Sequence, residues 1–135
     1  MTTSSLRHVR HVSVSIDRSP AEVYEFAADP ENIPRWAKGL AGSVTRTGEV
    51  WVATSPMGRI VIAFAERNAL GVLDHDVTLE SGETIHNPMR VLPNAGGSEV
   101  VFSLFRRPGV GDAELETDAS TVTRDLRALK AALER

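Results

Sequence analysis

Residues 71–90, GVLDHDVTLESGETIHNPMR, decide how the chain is read, because they set two histidines among acids and amides. ESG at 80–82 suits a three-residue hairpin turn with Gly82 in the left-handed region. That turn pairs Leu79 with Glu83, Val77 with Ile85, His75 with Asn87 and Leu73 with Met89. Side chains alternate along a strand, so Leu73, His75 and Val77 share one face while Asp74 and Asp76 take the other. A metal site built from Asp74, His75 and Asp76 together fails on that alternation. His86 also falls on the outer face, so the two histidines cannot share an ion, and no metal ligand set is expected.

Working outward, other turns extend the same sheet. PMG at 56–58, read as a second three-residue hairpin, pairs Thr54 with Ile60, Val52 with Ile62 and Val50 with Phe64. A turn at NALG (68–71) sets Phe64 beside His75 and Ile62 beside Val77. NAGG (94–97) sets Val91 beside Val100 and Met89 beside Phe102, leaving Asn87 beside Leu104. One apolar face results: Val50, Val52, Ile60, Ile62, Phe64, Leu73, Val77, Ile85, Met89, Val91, Val100, Phe102 and Leu104. His75 and Asn87 are the two polar residues within it, and they are neighbours. The outer face carries Asp74, Asp76, Arg90 and Ser103. It also carries Trp51, Val61, Ala63, Val101 and Phe105, read either as a dimer patch or as merely scattered apolar exposure.

The flanks are helical apart from one strand. RHVSVSI (10–16) alternates Val12, Val14 and Ile16 with serines, a half-buried strand. In SPAEVYEFAAD (19–29), Ser19 caps a helix, Pro20 opens it and Glu22 completes a capping box. Val23, Phe26 and Ala27 lie on one face of that helix. DPENIPRW (29–36) starts a second one at Asp29, and Pro34 keeps it short. From Asp112 to Glu134, Leu115, Ala119, Val122, Leu126, Leu129 and Leu133 recur at helical spacing. Acids crowd the start of this long helix and bases follow, as its dipole favours.

The totals bound the class. With 135 residues, 41% of them hydrophobic and 24% charged, the chain suits one globular domain over 1–135. The absence of cysteine excludes disulfides, thiolate nucleophiles and cysteine-ligated metals. A net charge of −3 argues against nucleic acid as a partner. No apolar run is long enough for a transmembrane segment. MTTSSLRHVR lacks an apolar leader core, which fits a cytoplasmic protein. The leucine stripe of the long helix is narrow, the sheet face is wide, and aromatic residues make up only 5% of the chain. Sheet and helix are therefore expected to leave a cavity, with Asp118, one turn from Leu115 and Val122, looking into it.

SPAEVYEFAADPENIPRW resembles the opening of the START-like (SRPBCC) superfamily: a strand, two small helices and a D-P-x-x-x-P-x-W signature. PMRVLPNAGGSEVVFSLFRRPG and the DLRALKAALE helix resemble its polyketide cyclase/dehydrase-like branch. The resemblance runs from about Val9 to Glu134. It implies an α+β helix-grip fold, a seven-stranded curved antiparallel sheet wrapped round the C-terminal helix, with two short helices after the first strand. It also implies a hydrophobic tunnel between sheet and helix, with Trp36 near it. It transfers no catalytic residue, because no catalytic motif is common to the superfamily.

The expected ligand site comprises Trp36, Val52, Ile62, Phe64, His75, Val77, Asn87, Met89, Phe102, Asp118 and Val122. The leading reading is a binding protein for a small hydrophobic molecule (lipid, polyketide or quinone-like), as monomer or homodimer and with no cofactor. A second is a cyclase or dehydratase with His75 as acid–base and Asp118 assisting. A third is an interaction module using the outer face around Trp51 and Phe105. A purely structural His75 would be neutral, buried and bonded to Asn87.

Overall fold

A computed structural model describes residues 6–38 and 40–135. Residues 1–5, part of the stretch read above for a leader, and Gly39 lie outside the described residues. In chain order the elements are β1 (Val9–Ile16), α1 (Pro20–Ala27), a 3-10 turn (Pro30–Asn32), α2 (Ile33–Trp36), β2 (Ser43–Thr47) and β3 (Val50–Ser55). There follow β4 (Gly58–Phe64), β5 (His75–Thr78), β6 (Thr84–Asn87), β7 (Met89–Asn94), β8 (Gly97–Phe105) and α3 (Asp112–Leu133).

The local signals at the helix starts act as their chemistry requires. Ser19 Oγ accepts from the Glu22 amide at 3.2 Å, and Asp29 Oδ1 accepts from the Glu31 amide at 3.0 Å. Val23, Ala27 and Ile33 are then fully buried, which seats the small helices on the core. Tyr24 is buried too, a contact the helical pattern alone did not mark, and its hydroxyl accepts from the Asn68 amide at 3.0 Å.

The strands form two antiparallel sheets, β1-β8-β7 and β2-β3-β4-β5-β6. Eight strands stand where seven are expected, because Pro88 divides one expected strand into β6 and β7. Proline has no N–H for the ladder, so pairing with β5 stops there. The Pro88 carbonyl still accepts from the Ser103 amide at 3.0 Å as the chain moves across to β8. Residues 71–73 stay attached to β7 through Leu73 N–H to Met89 O (2.8 Å) and Val91 N–H to Gly71 O (2.9 Å). Gly71 alone permits this approach: its φ is +75°, and a Cβ there would lie 2.3 Å from the Val91 carbonyl oxygen.

Three of the four expected registers are present. His75 faces Asn87, Phe64 faces His75, Ile62 faces Val77, and Met89 faces Phe102. The β3–β4 hairpin is displaced by one residue, so Ala53 faces Ile60 and Trp51 faces Ile62. Ser55 causes the shift: its hydroxyl accepts from the Met57 amide at 3.0 Å and donates to the Gly58 carbonyl at 2.8 Å. This clamp closes a two-residue Pro56–Met57 turn with Ser55 opposite Gly58. A one-residue shift exchanges faces along a whole strand. Val50 and Val52 therefore leave the inner face, and Trp51 and Ala53 enter it.

α3 packs most closely on β1 and α2. Leu115, Ala119, Leu126 and Leu129 are buried, and Val122 and Leu133 half-buried, as the stripe requires. Its C-terminal end is also tied down by polar contacts. Lys130 Nζ donates to the Ser15 carbonyl at 2.7 Å, and Glu134 accepts from both Lys130 (2.7 Å) and the Asp17 amide (2.8 Å). Those bonds, the Asp17 amide first, hold the Glu134 carboxyl below its ordinary pKa. No helix among the described residues is long and apolar enough to cross a membrane.

Candidate functional site

Because α3 leans on β1 and α2, the five-stranded sheet meets it across a gap, and a cavity of about 370 Å³ lies there. Its walls come from several separate parts of the chain. Trp36, Ala37 and Leu40 enclose it at the end of α2, and Pro56 and Met57 at the β3–β4 turn. His75, Ile85 and Asn87 contribute from β5 and β6, and Phe102, Leu104 and Phe105 from β8. Asp118, Thr121, Val122, Arg124, Asp125 and Leu126 contribute from α3, and Arg107 from the preceding loop.

Six expected site residues line this cavity: Trp36, His75, Asn87, Phe102, Asp118 and Val122. Ile62, Val77 and Met89 are buried in the solid core instead, on the correct face but beyond the gap. Phe64 packs on the His75 ring without lining the cavity. Val52 is corrected outright, since it pairs with Val61 on the outer face. The outer patch proposed around Trp51 and Phe105 does not form as read, because Trp51 packs towards the core and Phe105 borders the cavity.

His75 is only 4% exposed. Its Nδ1 lies 3.0 Å from the Leu73 carbonyl oxygen, so Leu73, not Asn87, fixes the ring. Phe64 and Phe102 stand beside it, with ring centroids at 5.1 and 6.1 Å. Burial pushes the His75 pKa below its ordinary 6.5; the Leu73 bond and the Asp74 and Asp76 charges oppose this more weakly, and His86 adds to it. The unfolded chain binds this proton more readily than the folded one, so stability should fall as pH drops below about 6.5 towards the depressed folded value. Denaturant titrations at about pH 7.5 and pH 5 should show a smaller loss for His75→Phe than for the natural sequence.

Asp118 shifts the other way. Partial burial raises its pKa, Arg107 opposes the rise and Glu114 adds to it. Trp36 is 5% exposed, and its indole N–H has no acceptor among the described residues. Arg107 reaches Glu83 at 3.4 Å, close to the cavity wall.

The outer face gathers Asp74, Asp76, His86 and Arg90 of the 71–90 stretch. Arg90 pairs with Asp74, which also accepts from the Met89 amide at 2.9 Å. His86 Nδ1 lies 2.5 Å from Asp76. Among the described residues no group of three histidines or acids is arranged to hold a metal ion.

No curated protein sequence matches this chain significantly. Solved structures match its fold over nearly the whole length. XoxI from Bacillus cereus is 18% identical with a TM-score of 0.74, covering 93% of this chain and 95% of its own. The Aha1 dimer from Colwellia psychrerythraea is 14% identical with a TM-score of 0.73, covering 94% and 96%. A START superfamily protein from Mycobacterium smegmatis is 13% identical with a TM-score of 0.67, covering 94% and 97%. A family model described as polyketide cyclase / dehydrase and lipid transport matches residues 7–135. On that match the chain belongs to the polyketide cyclase / dehydrase and lipid transport family, and the solved structures share its helix-grip fold.

Proposed function

We propose that the chain binds a small, mostly hydrophobic molecule (lipid, polyketide or quinone-like) between its sheet and α3, with His75 and Asn87 as polar anchors. The observation that carries this reading is a buried imidazole facing Asn87 across the strands, both lining a cavity of about 370 Å³ whose other strand residues, Ile85, Phe102, Leu104 and Phe105, are apolar, while its polar lining comes from Arg107 and α3. A few placed polar groups in an apolar concavity orient a ligand while burial supplies the affinity. Six of the expected contact residues meet in this space, which supports them as the contact set.

A second reading, a cyclase or dehydratase, draws on one specific feature. Burial drives His75 towards its neutral, basic form and Asp118 towards its protonated, acidic form on walls of the same cavity. Both shifts favour the uncharged form, and a lone-pair imidazole beside a carboxyl eased towards protonation is the kind of pairing that general base and acid roles use.

One experiment addresses both readings: thermal shift against fatty acids, aromatic polyketides and quinones, followed by mass analysis of the recovered compounds. A true ligand at about 100 times its Kd should add about 2.7 kcal/mol to stability. Compounds returned unchanged support a carrier. A dehydrated or ring-closed product that disappears with His75→Ala supports the enzyme. No shift with any class counts against both readings.

A further inference from the structure

His75 is held so that only one of its nitrogens is available. Nδ1 lies 3.0 Å from the Leu73 carbonyl oxygen. A carbonyl offers only lone pairs, so the bond requires the proton on Nδ1. Phe64, tilted 37° to the ring, and Phe102, edge-on at 62°, restrict any swing that would exchange the two nitrogens. Burial disfavours the imidazolium, with Asp74, Asp76 and His86 as the titratable neighbours on the sheet. The ring therefore carries a single proton at neutral pH. Nε2 is left as a lone-pair acceptor with no donor among the described residues, on a side chain that lines the cavity.

Resting on the reading of this cavity as a ligand site, we infer that Nε2 selects a ligand whose buried end is a hydroxyl group. An alcohol, phenol or enol donates its O–H to Nε2. The same oxygen accepts from the amide of Asn87, the residue paired with His75 across the strands. Both anchors are then satisfied by one small group. A ketone or ether oxygen sets its lone pairs against that of Nε2 and leaves this buried acceptor unsatisfied. The Asn87 amide offers donors and an acceptor, so it cannot impose this preference; His75 does. Trp36, Ile85, Phe102, Leu104, Val122 and Leu126 supply the apolar surroundings for the rest of the molecule.

NMR titrations with 2-naphthol, 2-methoxynaphthalene and naphthalene test this, in the natural sequence and in His75→Phe. The natural protein should bind naphthol about tenfold more tightly than its methyl ether. In His75→Phe the ratio should fall to about one, the comparison between variants cancelling differences in solubility. The ring nitrogen shifts of ligand-free His75 should show a protonated Nδ1 and a bare Nε2 at neutral pH. An ether that binds as well as naphthol overturns the inference and leaves the container reading intact. So does a ring protonated on Nε2. If none of the three compounds perturbs the cavity, the container reading falls and takes the inference with it. Should His75→Phe fail to fold, the ratio in the natural protein and the ring shifts decide between these outcomes.

Discussion

Val122→Trp is expected to weaken binding of any cavity ligand by at least about tenfold while leaving the melting temperature unchanged or raised. Val122 is half-buried on α3 and borders the cavity, so an indole there grows into open space and displaces no packed neighbour. The usual penalty for overfilling a core then does not arise, and the added apolar contact offsets the cost of ordering the side chain. Calorimetric titration with a compound identified by thermal shift, alongside a melting curve, gives both readouts. Affinity that survives the substitution would mean the compound binds elsewhere, whatever the cavity looks like.

Leu129→Ala should do the reverse. Leu129 is fully buried about two turns nearer the C-terminus and does not line the cavity. Deleting it removes transferred surface and leaves a hole that the tied-down helix end cannot collapse, a loss of roughly 2–5 kcal/mol. Urea unfolding should show an earlier midpoint with an unchanged slope. Ligand affinity of the fraction still folded should stay close to that of the natural protein. A loss below about 1 kcal/mol would mean the helix is less firmly seated than its burial indicates.

How far the fold could be read depended on where each structural decision is made along the chain. The 71–90 hairpin was legible because its turn glycine, Gly82, sits at φ +92°, and the flanking residues alternate cleanly. The β3–β4 hairpin was not, although Gly58 has the same positive φ, because the Ser55 hydroxyl sets the loop length. A hydroxyl's choice of partner leaves no trace in hydrophobic periodicity, and the resulting shift sent Val52 outward and Trp51 inward. Pro88 stood in plain view, yet its effect depends on which strand competes for the chain beyond it, and β8 is distant in sequence.

The candidate site divides in the same way. His75, Asn87 and Phe102 were legible from strand alternation, and Val122 from helix spacing. Ile62, Val77 and Met89 were on the right face, but alternation cannot say where along a face the packing turns solid. Leu40, Met57 and Arg107 reach the cavity from loops, where no periodicity reports direction. Ile85 and Leu104 were placed on the inner face without being marked as cavity walls, for want of the helix's position over the sheet.

α3 separates two kinds of heritable change along its length. Its last turns are moored to Ser15 of β1 and to Asp17 just beyond it through Lys130 and Glu134, while Asp118, Thr121, Val122, Arg124 and Asp125 line the cavity. Mutations that retune what the protein accepts and mutations that threaten its survival therefore fall on different stretches of one rod. On the proposed function, a lineage can change what fits the cavity through the first stretch without placing the anchorage at risk.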